Sequence, residues 1–304
     1  KKEEKKKKKE GKKKKEKKER KEKEVVKKKK ERKKKKEKKN RRKKRKKKKG
    51  KEKEKRKKKE RKRKRDKKGR VRRRVNGKKG NKQNDKFFGY YHLWGNDTID
   101  NSLKTHGFHR DDITDVFMTH LHFDHCGGSI QWNADRTGYE TAFKNAHFWS
   151  NKNHWEWATK PNNREKASFL KENILPMEDS GQLKFTNLPQ KDILKNSPLG
   201  FDIFFANGHT DKQMIPMIQY EGKTICFMAD LLPTVGHLPL PFVMGYDTRP
   251  LLSLDEKERF LNLAADHHYY LFLEHDAHNE IITVQHTEKG VRLKDTFKTN
   301  DIFN

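Results

Sequence analysis

Long apolar runs are missing from this 304-residue chain. None approaches the roughly 18 residues that a membrane-spanning helix needs, so no membrane partner is expected. Cysteine is scarce: Cys126 and Cys226 are the only two. Two thiols cannot build a disulfide framework, and a reducing, cytoplasmic setting is expected. No short apolar segment follows the basic start, so no secretion signal is read. Residues 1–80 lack aromatic residues, and their hydrophobic set is four valines, Val25, Val26, Val71 and Val75. A stretch so poor in apolar surface cannot offset its chain entropy by folding alone.

What that stretch does contain is charge. It holds 56 Lys and Arg against 13 Asp and Glu, a net of +43. The other 224 residues hold 23 and 30, a net of −7. The chain's +36 therefore describes neither part. Residues 1–78 read as a low-complexity basic segment, disordered rather than helical, because like charges repel. Nine consecutive basic residues, Arg41 to Lys49, are the extreme case. Residues 1–75 could hold nucleic acid through phosphate contacts with steep salt dependence. Without aromatics to stack on bases, such binding would be non-specific. Lys, Glu, Arg and Gly can all be written in purine-only codons. The segment is therefore expected to be a translated purine-rich tract, foreign to the domain that follows.

The composition changes near Asn76 to Gly80, and residues 79–304 have apolar content enough for one substantial core. Ile99 to Thr105 reads as a short helix and Ile113 to Thr119 as a strand. Asn151 to Ile174 reads as helix broken at Pro161, with Trp155, Trp157, Phe169 and Leu170 as core. Gly200 to Ala206 is strand-like. Met214 to Tyr220 and Lys223 to Met228 form a hairpin around Glu221-Gly222. Ser253 with Glu256 reads as a capping box opening a helix. Tyr269 to Glu274 is an apolar strand, and Ile281 to Lys298 a hairpin turning at Lys289-Gly290. Strands interleaved with helices predict an α/β or α+β fold.

All 15 histidines follow position 91. The sharpest pattern is Thr119-His120-Leu121-His122-Phe123-Asp124-His125-Cys126-Gly127-Gly128, which is H-x-H-x-D-H-x-G-G. Two histidines at i,i+2 on an extended strand end project to one side and can grip one metal. Asp124 and His125 follow on the turn and can reach a second. Imidazole and carboxylate ligands suit zinc, and also iron or manganese. The glycines are expected to let the chain turn tightly beneath the ions. Further candidates follow apolar strands: His209 in Asn207-Gly208-His209-Thr210, Asp230 after Met228-Ala229, and His275 after Leu273-Glu274. Cys126 reads as small packing rather than a nucleophile. His237, Tyr246 and Arg249 lie in a Pro/Gly-rich stretch that reads as a plain loop, with pocket lining as the sharper alternative.

These residues resemble the metallo-β-lactamase-fold metallohydrolases from about Gly80 onward. H-F-D-H-C-G-G and G-H-T-D-K-Q look closest to their lactonase-like branch. The resemblance implies an αββα sandwich of two sheets flanked by helices, with a dinuclear site at one edge. It implies His120, His122 and His209 on a first metal, and Asp124, His125 and His275 on a second. Asp230 would bridge both, with His278 a fallback for the last ligand. A hydroxide held between the metals would attack an ester, lactone or amide of a small-molecule substrate. Asp124 would pass a proton to the leaving group. Thr119, Thr210 and Asp276 are candidates to orient the histidines.

The sequence departs from that pattern in two places. The family's strands before the H-x-H-x-D-H block, with their Asp-Thr-Gly turn, are not readable between Asn81 and His120. The N-terminal part of the first sheet is therefore expected to be incomplete. Asp211-Lys212-Gln213 stands where many relatives have Pro-Gly. The alternative functions are a nucleic-acid-associated protein or nuclease using the basic tail, and an inactive truncated fusion.

Overall fold

A computed structural model describes Lys82 and residues 98–303. The basic segment, the boundary near Asn76 to Gly80 and the expected loss of early strands lie outside the described residues.

Helix α1 (Ile99–Thr105) starts at Thr98, whose hydroxyl accepts from Asn101 N at 3.1 Å. Strand β1 (Asp115–Phe117) leads into the single turn α2 (Phe123–Cys126). A ribbon of β2 (Ile130–Trp132) and β3 (Tyr139–Thr141) follows. Strand β4 (His147–Asn151) runs directly into α3 (Lys152–Thr159), capped by Asn151 accepting from His154 N at 2.9 Å. Helix α4 (Lys171–Asp179) and β5 (Leu183–Thr186) complete the first half. The single broken helix expected over Asn151 to Ile174 is thus two helices separated by 11 non-helical residues, 160–170. Pro161 is the cause: it pushes Lys160 out of the helical region, to φ −123° and ψ 59°.

The second half begins with β6 (Ile193–Leu194), β7 (Asp202–Ala206), β8 (Gln213–Tyr220) and β9 (Lys223–Phe227). Helix α5 (Pro250–Asp266), strands β10 (Tyr270–Phe272), β11 (Ile281–Thr287) and β12 (Gly290–Phe297), and the turn α6 (Thr299–Ile302) follow. Glu221 and Gly222, at φ 46° and 74°, make the left-handed pair that a tight β8–β9 hairpin requires. Between β11 and β12 Thr287 pairs with Gly290, so the turn falls on Glu288-Lys289, one residue earlier than the sequence reading. Helix α5 starts at Pro250, not at Ser253. Proline at the first helical position loses no hydrogen bond and has its φ preset. Ser253 therefore sits inside the first turns, and Glu256 is not part of a capping box.

Two sheets face each other. The first runs β1-β4-β5, all parallel; the second runs β12-β11-β10-β9-β8-β7-β6, with β9 and β10 parallel and the rest antiparallel. Alternation along β7 shows how the layers form. Phe204 and Ala206 pack with Phe260, Leu261 and Ala264 of α5. Ile203 and Phe205, on the opposite face, pack with Met214 and with Phe117 of the first sheet. Helices α3 and α4 cover the first sheet through Trp155, Ala158, Ile174 and Met177 against Phe148. This mixed α/β sandwich with helices outside both sheets is the architecture expected. Met214 N donates to Thr119 O at 2.8 Å, tying the second sheet to the residue just before His120.

Candidate metal centre

Strand direction brings the candidate ligands to one edge. Strands β9 and β10 are parallel, with Phe227 opposite Phe272. Three residues beyond each lie Asp230 and His275. Strand β7 runs parallel to β9, since each pairs antiparallel with β8. Its end therefore delivers His209 to the same edge. Between β9 and Asp230 the chain turns at Ala229, a buried non-glycine residue at φ 41°. That conformation costs an L-residue about 1–2 kcal/mol. Strain held at one residue beside a polar cluster is characteristic of functional sites.

His120, His122, His209 and Asp230, all buried, present ligand atoms within 4.8 Å of one another. Asp124, His125 and His275 form a second such group. Asp230 lies between the two. Its Oδ2 is 3.1 Å from His209 Nε2, 3.3 Å from His125 Nε2 and 3.7 Å from His120 Nε2. Its Oδ1 is 3.0 Å from His275 Nε2. His122 Nδ1 is 3.2 Å from His209 Nε2, and the His125 and His275 Nε2 atoms are 3.4 Å apart. The fallback His278 is not in either group; its backbone N–H donates to Asp276.

Burial, then the neighbouring His125 and His122, holds His120 well below the ordinary imidazole range. Burial lowers His122 as well. His209 is buried too, but Asp230 and Asp247 outweigh that and lift it to about 9. Burial likewise opposes the charge on His125, yet Glu274, Asp230 and Asp124 raise it well above normal. Burial would raise Asp230, but His125, His209 and His275 hold it well below the usual carboxylate range. Between the two groups Asp230 is thus an ionised carboxylate surrounded by imidazole nitrogens. His120 Nε2 is fully buried with no hydrogen-bond partner among the described residues. Converging nitrogen and oxygen donors with an orphaned, inward imidazole nitrogen fit a divalent cation.

Three histidines are backed by carboxylates that the sequence reading did not single out. Asp247 Oδ1 lies 2.9 Å from His209 Nδ1, Glu274 Oε2 3.2 Å from His125 Nδ1, and Glu165 Oε1 3.4 Å from His122 Nε2. Of the three expected supports, Thr119 does meet an imidazole, at 3.3 Å from His120 Nδ1. Asp276 instead accepts from the backbone N–H groups of Val235, His278 and Asn279. Thr210 is fully buried, with its side chain set towards the Glu165 carboxylate that backs His122. Glu274 had a readable signal, as a charged residue ending an apolar strand. Asp247 and Glu165 lie 38 and 43 residues from their histidines, and no spacing rule connects them.

Cys126 is buried, donates to Leu121 O at 3.3 Å, and burial pushes its thiol to about 12, as packing requires. Gly127 keeps a right-handed φ of −58° and is buried with Gly128. The pair serves close packing here rather than a left-handed turn. His237 lines a small cavity with Asp230, Asp247 and Lys257. Tyr246 is exposed. Arg249 turns away, donating to Asn207 O at 2.7 Å and pairing with Asp211 Oδ1 at 3.1 Å.

The profile of the Metallo-beta-lactamase superfamily matches residues 90–275, and the chain belongs to that superfamily. It is therefore a hydrolase of a class whose members bind divalent metals, often zinc. No curated protein matches the chain. Among solved structures, a probable metal-dependent hydrolase from Staphylococcus aureus is 24% identical, covering 72% of this chain and 76% of that one at a TM-score of 0.58. AidC, a dizinc quorum-quenching lactonase, is 21% identical, covering 66% and 70% at 0.54. The hydrolase AbOPH, in the β-lactamase superfamily, is 19% identical with the same coverage and TM-score. These likenesses show a shared fold. Among the described residues no helix is long and apolar enough to cross a membrane.

Proposed function

We propose that this chain is a dinuclear metal-dependent hydrolase of a small ester, lactone or amide. In this reading His120, His122 and His209 hold one divalent ion, zinc before iron or manganese. Asp124, His125 and His275 hold the other, and Asp230 binds both. The observation that carries it is Asp230, whose Oδ2 meets His209 of one group and His125 of the other, while its Oδ1 meets His275 of the second. Two ions bound there would supply a hydroxide near neutral pH and polarise the carbonyl oxygen of the substrate.

The protein's own residues do the rest. Asp230 keeps its negative charge in a buried site because three imidazoles surround it. The backing carboxylates fix which nitrogen of each ring carries the proton. Asp124 and His275 have side chains 28% and 30% exposed, so they face the side from which substrate arrives. In this reading the Asp124 carboxyl would take up a proton from the attacking water and pass it to the leaving group. A lactone is the first substrate class to test, because H-F-D-H-C-G-G and G-H-T-D-K-Q resemble the lactonase-like branch.

The test is metal analysis together with a panel of lactone, β-lactam, thioester and phosphodiester substrates. Two metals per chain, and turnover of a lactone or ester that His122→Ala abolishes, are expected. A metal-free protein that still turns over would overturn the reading. Non-specific nucleic-acid binding through residues 1–75 is a separate proposal resting on charge. It predicts binding with a steep salt slope that vanishes when those residues are removed.

A further inference from the structure

Glu165 stands out among the buried groups that the reaction does not use directly. It sits in the non-helical stretch between α3 and α4, yet it is only 3% exposed. A buried carboxylate is costly unless its oxygens are occupied. Two donors occupy Oε2: Trp157 Nε1 at 2.7 Å and Asn162 Nδ2 at 2.6 Å. The Asn162 side chain also accepts from Glu165 N at 3.1 Å, so the residue is held at backbone and side chain. The other oxygen, Oε1, is left facing His122 Nε2 at 3.4 Å. Neither of those two atoms makes another hydrogen bond among the described residues.

The remaining nitrogen of His122 is the one that points inward, 3.2 Å from His209 Nε2. The ring therefore spans from Glu165 outside to the ligand cluster inside. A proton held on Nε2 leaves Nδ1 with its lone pair free for a cation. The support extends further. The Arg249 guanidinium lies 4.8 Å from the centroid of the Trp157 ring. Arg164, next in sequence to Glu165, donates to Gly245 O at 2.7 Å and Asp247 O at 3.1 Å. Asp247 is the carboxylate behind His209. One short segment thus braces two histidines of the same buried group, one by a side chain and one through the backbone of Asp247.

We propose that Glu165 is a positioning residue for metal binding: fixed by Trp157 and Asn162, it holds His122 in the tautomer and rotation that direct Nδ1 at the ion. This rests on the metal-centre reading above. It concerns a residue outside the metal ligands, and it is tested by binding rather than turnover.

The experiment measures zinc affinity of the full chain by competition with a chromophoric chelator, alongside the melting temperature of chelator-stripped protein. Glu165→Gln keeps shape and an acceptor oxygen but loses the charge, and Glu165→Ala loses both. Affinity should fall roughly 10- to 100-fold, more for alanine than for glutamine. Trp157→Phe keeps an aromatic side chain but removes the indole N–H that donates to Glu165, so it should weaken zinc by less than about 10-fold. The stripped glutamine variant should melt like the wild type, since a packing defect would lower that value and leave affinity per folded molecule unchanged. Should glutamate variants lower only the melting temperature, or nothing, while His122→Ala loses zinc, Glu165 is not a positioning residue. Should His122→Ala itself retain full zinc binding, the metal-centre reading fails first and this inference with it. If Glu165→Ala does not fold, the glutamine and Trp157→Phe variants decide the matter alone.

Discussion

Asp247 Oδ1 lies 2.9 Å from His209 Nδ1, while His209 Nε2, across the ring, lies 3.1 Å from Asp230 Oδ2. One imidazole is thus gripped by carboxylates at both nitrogens. The outer one comes from a loop 38 residues further along the chain. Such a carboxylate fixes the ring's tautomer and raises its basicity toward a metal. Asp247→Asn should weaken zinc binding by roughly 10-fold and Asp247→Ala by up to about 100-fold. Competition with a chelator measures both. Unchanged affinity would show that the ring is oriented by packing alone.

Why some of this centre was legible in sequence and some was not follows from the physics of each contact. His120, His122, Asp124 and His125 stand in one short block, and their grouping follows from the non-strand stretch after β1 running straight into the helical turn at Phe123. His209, Asp230 and His275 each end an apolar run, a local signal, and the sheet order then carries them to one edge. What no local pattern reveals is the register of β9 against β10 that puts Asp230 level with His275. Glu165 and Asp247 escape for the same reason, since their partners are distant in sequence. Ser253-x-x-Glu256 shows the converse error. A four-residue pattern matches a capping box, but Pro250 starts the helix first and frees Glu256 for a different task.

That task is local to the metal edge. Glu256 is buried, and its carboxylate accepts from the backbone N–H groups of Asn207 and Gly208 at 2.8–2.9 Å, and from Asn207 Nδ2 at 2.9 Å. These are the two residues before His209. Glu256→Gln would set an amide NH2 against those donors. A loss of roughly 1.5–3 kcal/mol is expected, the usual range for a hydrogen bond to a charged group. Urea unfolding of the stripped protein would read it. A change below about 0.5 kcal/mol, the range of an ordinary surface substitution, would mean that the turn holds itself.

Gly208 is needed for a different reason. A Cβ there would lie 2.2–2.4 Å from Ser253 Oγ, N and Cα. Two of those atoms are helix backbone and cannot swing aside. Gly208→Ala must therefore push α5 away from the loop that carries His209. Overpacking of this kind costs roughly 1–3 kcal/mol or more. Because the displaced residue adjoins His209, zinc affinity should fall together with stability. Wild-type values for both would show that the helix start yields without disturbing the site.

Lys257 provides a pH test that leaves the metal ligands alone. Its Nζ, buried beside the metal edge, donates to the carbonyls of His237 at 2.8 Å, Pro239 at 3.3 Å and Phe242 at 2.7 Å. No carboxylate pairs with it among those contacts, and burial lowers its pKa from the ordinary 10.5 to about 8. Between those two values the unfolded chain holds a proton that the folded chain has released. Stability from this residue therefore rises as pH climbs from 8 to 10.5, and the cost of burying the charge is borne whole below pH 8. Lys257→Met lacks this titration. Urea unfolding of both proteins, stripped of metal, at pH 7, 8, 9 and 10 isolates the effect, because other groups cancel in the difference. The wild type should gain on the variant above pH 8 and hold a constant offset below it. A difference flat across the whole series would mean that the three carbonyls keep the ammonium charged at its ordinary value, and that the loop from His237 to Phe242 is fastened by a full positive charge.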